Sequence, residues 1–110
     1  MKFTFKSLLI ASALTAATAL CAAPAAENWE NLCTKCHGAD GKGQTKVGKK
    51  LKLKDYTDAA IQAEMKDDDM AKAITDGVTV DGKEKMKAFK DEISAPEIAD
   101  LVAYVRKFKA

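Results

Sequence analysis

The sequence predicts a small all-α domain behind an export leader. Three observations carry that expectation. The C-terminal segment pairs a complete helix-start signal with a single apolar stripe. No stretch alternates apolar and polar residues as a half-buried strand does. At 110 residues the chain holds one domain at most, with no internal repeat or low-complexity segment.

Taken in order, Lys2 and Lys6 precede an uncharged Ala/Thr/Leu run over 8–20, and small residues follow in Cys21-Ala22-Ala23-Pro24-Ala25-Ala26. This is the layout of a secretory signal peptide. The run is too short for a membrane span, which takes roughly 20 apolar residues. The reading therefore gives a leader at 1–23, with a cut between Ala23 and Ala26, and a mature domain at 24–110. Lipid anchoring through Cys21 is disfavoured by the bulky Leu20 before it.

Within the mature domain, 27–36 reads as a first helix, with Glu27 and Glu30 at its positive end and Trp29 and Leu32 or Cys33 on one face. Gly38, Gly41 and Gly43 then make a turn, and 45–54 reads as a lysine-rich loop. Asp55 or Thr57 caps a helix over 58–66. Asp67-Asp68-Asp69 ends it and caps a short helix over 70–75, which Gly77 terminates. Residues 78–87 read as a loop turning at Asp81-Gly82. Ser94-Ala95-Pro96-Glu97 is a capping box with proline in the first turn, and Ile98, Leu101, Val102, Val105 and Phe108 continue it as one stripe. Arg106, Lys107 and Lys109 suit the negative end of that helix.

Charge and cysteine counts change once a leader is removed. The chain carries 18 Lys+Arg and 16 Asp+Glu, and losing Lys2 and Lys6 leaves 16 of each. A neutral mature chain argues against nucleic-acid binding. Of the three cysteines, Cys21 leaves with the leader, so Cys33 and Cys36 remain as a pair. A domain this small has a thin core and needs an internal staple. A Cys33–Cys36 disulfide would close only a trivial loop.

The candidate staple is Cys33-Thr34-Lys35-Cys36-His37, the C-x-x-C-H pattern of covalent c-type haem attachment. Two intervening residues on a helical turn let both sulfurs reach the two vinyl groups along one porphyrin edge. The following histidine can offer iron a nitrogen. A closed zinc site needs four ligands, and no second Cys or His pair exists. A thioredoxin-like dithiol needs a βαβ context that is missing. The glycine turn lacks the strand and lysine-serine of a phosphate loop, and the acid run lacks the alternating oxygens and closing glutamate of a calcium loop. His37 is the only histidine, so the second axial donor falls to Met65, Met70 or Met86. The first two are placed on helices, where methionine commonly fills core. Met86 is placed in a loop free to approach iron and is favoured.

These residues resemble a known family. Cys33-x-x-Cys36-His37-Gly38-x-Asp40-Gly41-x-Gly43, then Met86-x-x-Phe89, then Ile98-x-x-Leu101-Val102-x-Tyr104-Val105-Arg106 is similar to the small monohaem class I cytochromes c of bacteria, over Trp29 to Phe108. The resemblance implies a helical fold whose first and last helices cross around one covalent haem c with an exposed edge. It implies Cys33 and Cys36 as thioether residues, His37 as proximal iron ligand and Met86 as distal iron ligand. Two departures stand out: Lys87 follows the methionine where members often have proline, and Lys49 follows Gly48 where many have proline. With both axial positions filled, the implied function is one-electron transfer in a respiratory or photosynthetic chain, not catalysis. A peroxidase-like catalyst or sensor with a labile distal methionine is the alternative. The implied setting is the bacterial periplasm, as a monomer without membrane insertion after leader cleavage. Lys42, Lys46, Lys49, Lys50, Lys52 and Lys54, with Lys83, Lys85, Lys87 and Lys90, are expected to ring the haem edge and steer redox proteins with an acidic docking face.

Overall fold

A computed structural model describes residues 22–109; the leader expected at 1–23 lies almost wholly outside the described residues. The first helical stretch is continuous in space but not uniform. It runs as α1 (Ala25–Asn28), a π turn (Trp29–Cys33) and α2 (Thr34–His37). In the π turn the Thr34 amide donates back to the Trp29 carbonyl, a five-residue step where an α-helix takes four.

The lysine-rich stretch expected as a loop folds into α3 (Lys46–Leu51). Thr45 caps it by accepting from the Gly48 amide, and Lys49 and Lys50 sit in the last turn. Lysine is a good helix former, so a run of charge conceals a helix when only apolar periodicity is read. α4 (Ala59–Glu64) is capped by Asp58 rather than Asp55 or Thr57. Met65 therefore lies just beyond that helix, not within it. α5 (Asp67–Asp76) starts earlier than expected. Asp67, Asp68 and Asp69 fill its first turn, where they complement the helix dipole instead of capping by side chain.

The all-α expectation fails at one place. β1 (Val78–Val80) and β2 (Lys83–Met86) form an antiparallel hairpin where a loop was expected. Its two-residue turn is Asp81-Gly82, both with positive φ (52° and 74°), the geometry that matches strand twist. Val80 faces Lys83 and Thr79 faces Glu84, and an irregularity then brings Val78 opposite Met86. Because β2 is lysine- and glutamate-rich and mostly exposed, it shows no apolar alternation to betray it.

α6 (Ala95–Arg106) begins on the expected box: Ser94 accepts from the Glu97 amide while the Glu97 carboxylate accepts from the Ser94 amide. Its stripe of Ile98, Leu101 and Val105 meets Trp29, Phe89 and Ile93 in the core, and Leu101 is 2 % exposed. α1 packs on the same helix, and Asn28 donates to the Glu97 carboxylate at 2.8 Å. The first and last helices thus meet. No helix of the described residues is long and apolar enough to cross a membrane.

Candidate functional site

Cys33 closes the π turn, and Cys36 and His37 lie on the single turn of α2 that follows. Both thiols are free and half-buried. Burial, then the proximity of Cys36, pushes the Cys33 thiol up to about 11, so it stays protonated. A thiolate is costly there, whereas a neutral thioether is not. His37 is only 9 % exposed, and burial lowers its pKa from the ordinary value, which keeps the imidazole neutral as a metal ligand requires.

The backbone around this turn is tied down at almost every residue. Gly38 donates to the Thr34 carbonyl at 2.9 Å, Gly43 to His37 at 2.8 Å, and the Thr45 hydroxyl to Cys36 at 2.6 Å. The Trp29 indole N–H donates to the Gly38 carbonyl at 3.1 Å. α3 lies so close behind that a Cβ on Gly48 would stand 2.6 Å from the Cys36 oxygen, so only glycine fits. His37 Nδ1 is the one buried side-chain nitrogen or oxygen without a hydrogen-bond partner among the described residues. Packing holds the ring instead: Tyr56 stacks on it with centroids 5.3 Å apart, and Trp29 lies 5.6 Å away.

The other side of the site is lighter. Met86 ends β2, half-buried, and Met65, Met70 and Met86 all pack against the core cluster alongside Leu32, Cys33 and Tyr56. The contrast of loop with helix used to favour Met86 does not survive, since Met86 is on a strand and Met65 is outside a helix. After β2, Lys87 pairs with Glu92 and lies 5.5 Å above the Phe89 ring, while the Phe89 amide donates to Ile74 at 2.9 Å.

Three residues escaped the sequence reading. Arg106, read as a helix-end charge and the last residue of the C-terminal motif, donates to the Gln62 carbonyl at 2.6 Å, Gln62 Oε1 at 3.0 Å, the Met65 carbonyl at 2.6 Å and Asp67 at 2.9 Å. Gln62, buried, donates in turn to the Tyr56 and Val105 carbonyls. Together they clamp the α4–α5 junction to α6. Tyr56 had no local signal at all, because its partner His37 is remote in sequence. The lysines of 42–54 and 83–90 are all exposed.

Two free thiols on one helical segment, a neutral buried imidazole with an unpartnered nitrogen, and a half-buried apolar lining fit a covalently bound haem. A family model described as cytochrome C oxidase, cbb3-type, subunit III matches residues 22–105. Among solved structures the chain is similar to the KustC0563 c-type cytochrome, at 31% identity and TM-score 0.71, over 80% of this chain and 100% of that one. It is similar as well to a point mutant of Kustc0563, at 31% identity and TM-score 0.69, over 79% and 100%. No curated protein matches.

Proposed function

The chain belongs to the cbb3-type cytochrome c oxidase subunit III family of c-type cytochrome domains, whose work is haem-based electron transfer, and from that premise we propose an exported one-electron carrier with one haem c held between His37 and Met86. The observation that carries the proposal is the conjunction at α2: both thiols free, three residues apart on one helical segment, next to a buried neutral imidazole. Bound haem supplies a single electron site cycling between ferric and ferrous iron. Cys33 and Cys36 hold it as thioethers. His37 gives the proximal nitrogen, its plane set by Tyr56 and Trp29. Met86 gives a soft sulfur that favours the reduced state and raises the potential. Two filled axial positions leave no place for substrate. A peroxidase-like reading lacks a distal acid–base residue, His37 being the only histidine in the chain.

For partners, α3 and the hairpin carry exposed lysines in the two segments that follow the attachment turn and flank Met86, which supports docking to an acidic face on a redox protein. Electron exchange with such a partner is expected to slow as salt rises from low to physiological ionic strength; rates flat across that range would remove the docking proposal. The function itself is tested by expressing the whole chain in cells that mature c-type cytochromes, then recording a reduced-minus-oxidised spectrum with a redox titration. One covalent haem titrating as a single one-electron centre in the periplasmic fraction is the expected result. A folded but colourless protein, or one that takes up zinc, would overturn it.

A further inference from the structure

Gly77 is the hinge between α5 and the hairpin, and its conformation is unusual. At φ 76°, ψ −178° it occupies a region essentially reserved for glycine. The reason lies across the hairpin. A Cβ at Gly77 would stand 2.6 Å from the Met86 carbonyl oxygen, 2.9 Å from the Ala88 amide nitrogen and 3.1 Å from the Lys87 carbonyl carbon. All three are backbone atoms, which cannot swing aside as a side-chain tip can. The hairpin is open elsewhere: Gly82, at its tip with φ 74°, has nothing within 4 Å of its own Cβ position. Two glycines of one hairpin thus share a positive φ but differ in what they touch.

We propose that Gly77 is a positioning residue for the distal ligand: its missing side chain lets the backbone of residues 86–88 lie close against the end of α5, and that depth sets how firmly the Met86 sulfur reaches iron. This role rests on the function proposed above, with Met86 as that ligand. Lys87 follows the methionine, so no proline ring fixes the backbone at the exit from β2. The backbone bonds from Phe89 to Ile74 and from Lys90 to Thr75 hold the segment after the strand, and the contact at Gly77 sets the depth of residues 86–88.

The test compares three holoproteins, Gly77→Ala, Gly82→Ala and Met86→Ala, with the parent chain. The readouts are the methionine–iron charge-transfer band of the ferric form, the midpoint potential and the affinity for added imidazole. Gly77→Ala is expected to lose most of the band, to fall in potential and to bind imidazole at least about tenfold more tightly, with both thioethers intact. Gly82→Ala, which adds a Cβ at another positive-φ position of the hairpin without the contact, is expected to keep the parent values in all three. If Met86→Ala keeps the band, the ligand assignment fails, and the role of Gly77 falls with it for that separate reason. If Met86→Ala loses the band while Gly77→Ala retains the parent spectrum and potential, the role of Gly77 alone is overturned. Equal losses in Gly77→Ala and Gly82→Ala would also overturn it, because hairpin stability and not the contact would then be responsible. So would a Gly77→Ala chain that cannot be recovered with haem attached, since a distal positioning residue must leave attachment at residues 33–37 alone.

Discussion

The attachment turn and the hairpin that carries Met86, the two proposed holds on one iron, are built in opposite ways. Around Cys36 and His37 nearly every carbonyl is taken: Thr34, Cys36, His37 and Gly38 each accept a bond of 3.1 Å or less. α3 seals the back at Gly48, and Trp29 packs against the His37, Tyr104 and Phe108 rings from the core side. The hairpin has a two-residue turn, an irregular register, an exposed Val80 at 48 % and a surface ion pair between Lys87 and Glu92. Surface pairs of that kind contribute little, about 0–1 kcal/mol. One half of the site is over-determined and the other is hung from a few points. Under the proposed ligation, haem retention and distal ligation are therefore expected to be separable properties of this chain.

The strongest way to break that contrast is to attack the rigid half. Trp29→Ala removes the ring between α6 and the attachment turn, together with the bond to Gly38, and is expected to cost about 3–5 kcal/mol. Holoprotein yield and thermal unfolding measure it; a chain that matures and melts like the parent would show that the attachment turn stands without its core support. Met86→Ala comes next. Haem should stay bound while the ferric charge-transfer band disappears, and the potential should drop by a visible part of the ~0.8 V span over which axial ligands act. An unchanged band would transfer the role to Met65 or Met70.

Arg106→Ala sharpens the comparison from a third direction, because it unties the α4–α5 junction without touching either half directly. Loss of its bonds to Gln62, Met65 and Asp67 should destabilise by on the order of 2–3 kcal/mol, several degrees or more in melting temperature for a domain this size. The spectrum should stay that of the parent. The smallest effect is at Glu97. The hydrogen bond from Asn28, then those from Ser94, hold its carboxyl below the ordinary 4.5. Its folded pKa is thus depressed, so its contribution is present above the unfolded value and fades as pH falls through the folded one. Glu97→Gln should flatten the acid limb of a plot of melting temperature against pH below about 4.5, with little change near neutrality.

How much of this was legible in the sequence varies with the range of the interactions involved. α6 was read to its cap because Ser94, Pro96 and Glu97 carry their signal within four residues. The candidate thiols and His37 likewise carry their pattern within five residues. α3 was missed because its lysines outnumber the half-buried apolar pair Val47 and Leu51. The hairpin was missed because β2 pairs along an exposed edge, where no apolar alternation is required; the Asp81-Gly82 turn between β-branched Val78-Thr79-Val80 and the lysines was the available clue. Met86 kept its candidacy although its setting changed from loop to strand. Tyr56, Gln62 and the clamp made by Arg106 could not be found, since each acts on a residue far along the chain.

The π turn at 29–33 holds one residue more than an α-helical path of the same span would need. Each residue on an α-helix advances the azimuth by about 100°. Excising Asn31 would therefore let a four-residue α turn close over the same span, leaving Trp29 seated and both sulfurs near their present azimuth, whereas a residue added or lost where no bulge absorbs it would swing both sulfurs by about that angle. A chain altered in that second way would still be spelled like a cytochrome and would present its thiols to the wrong side. Phase, and not only order, is therefore part of what this helix encodes.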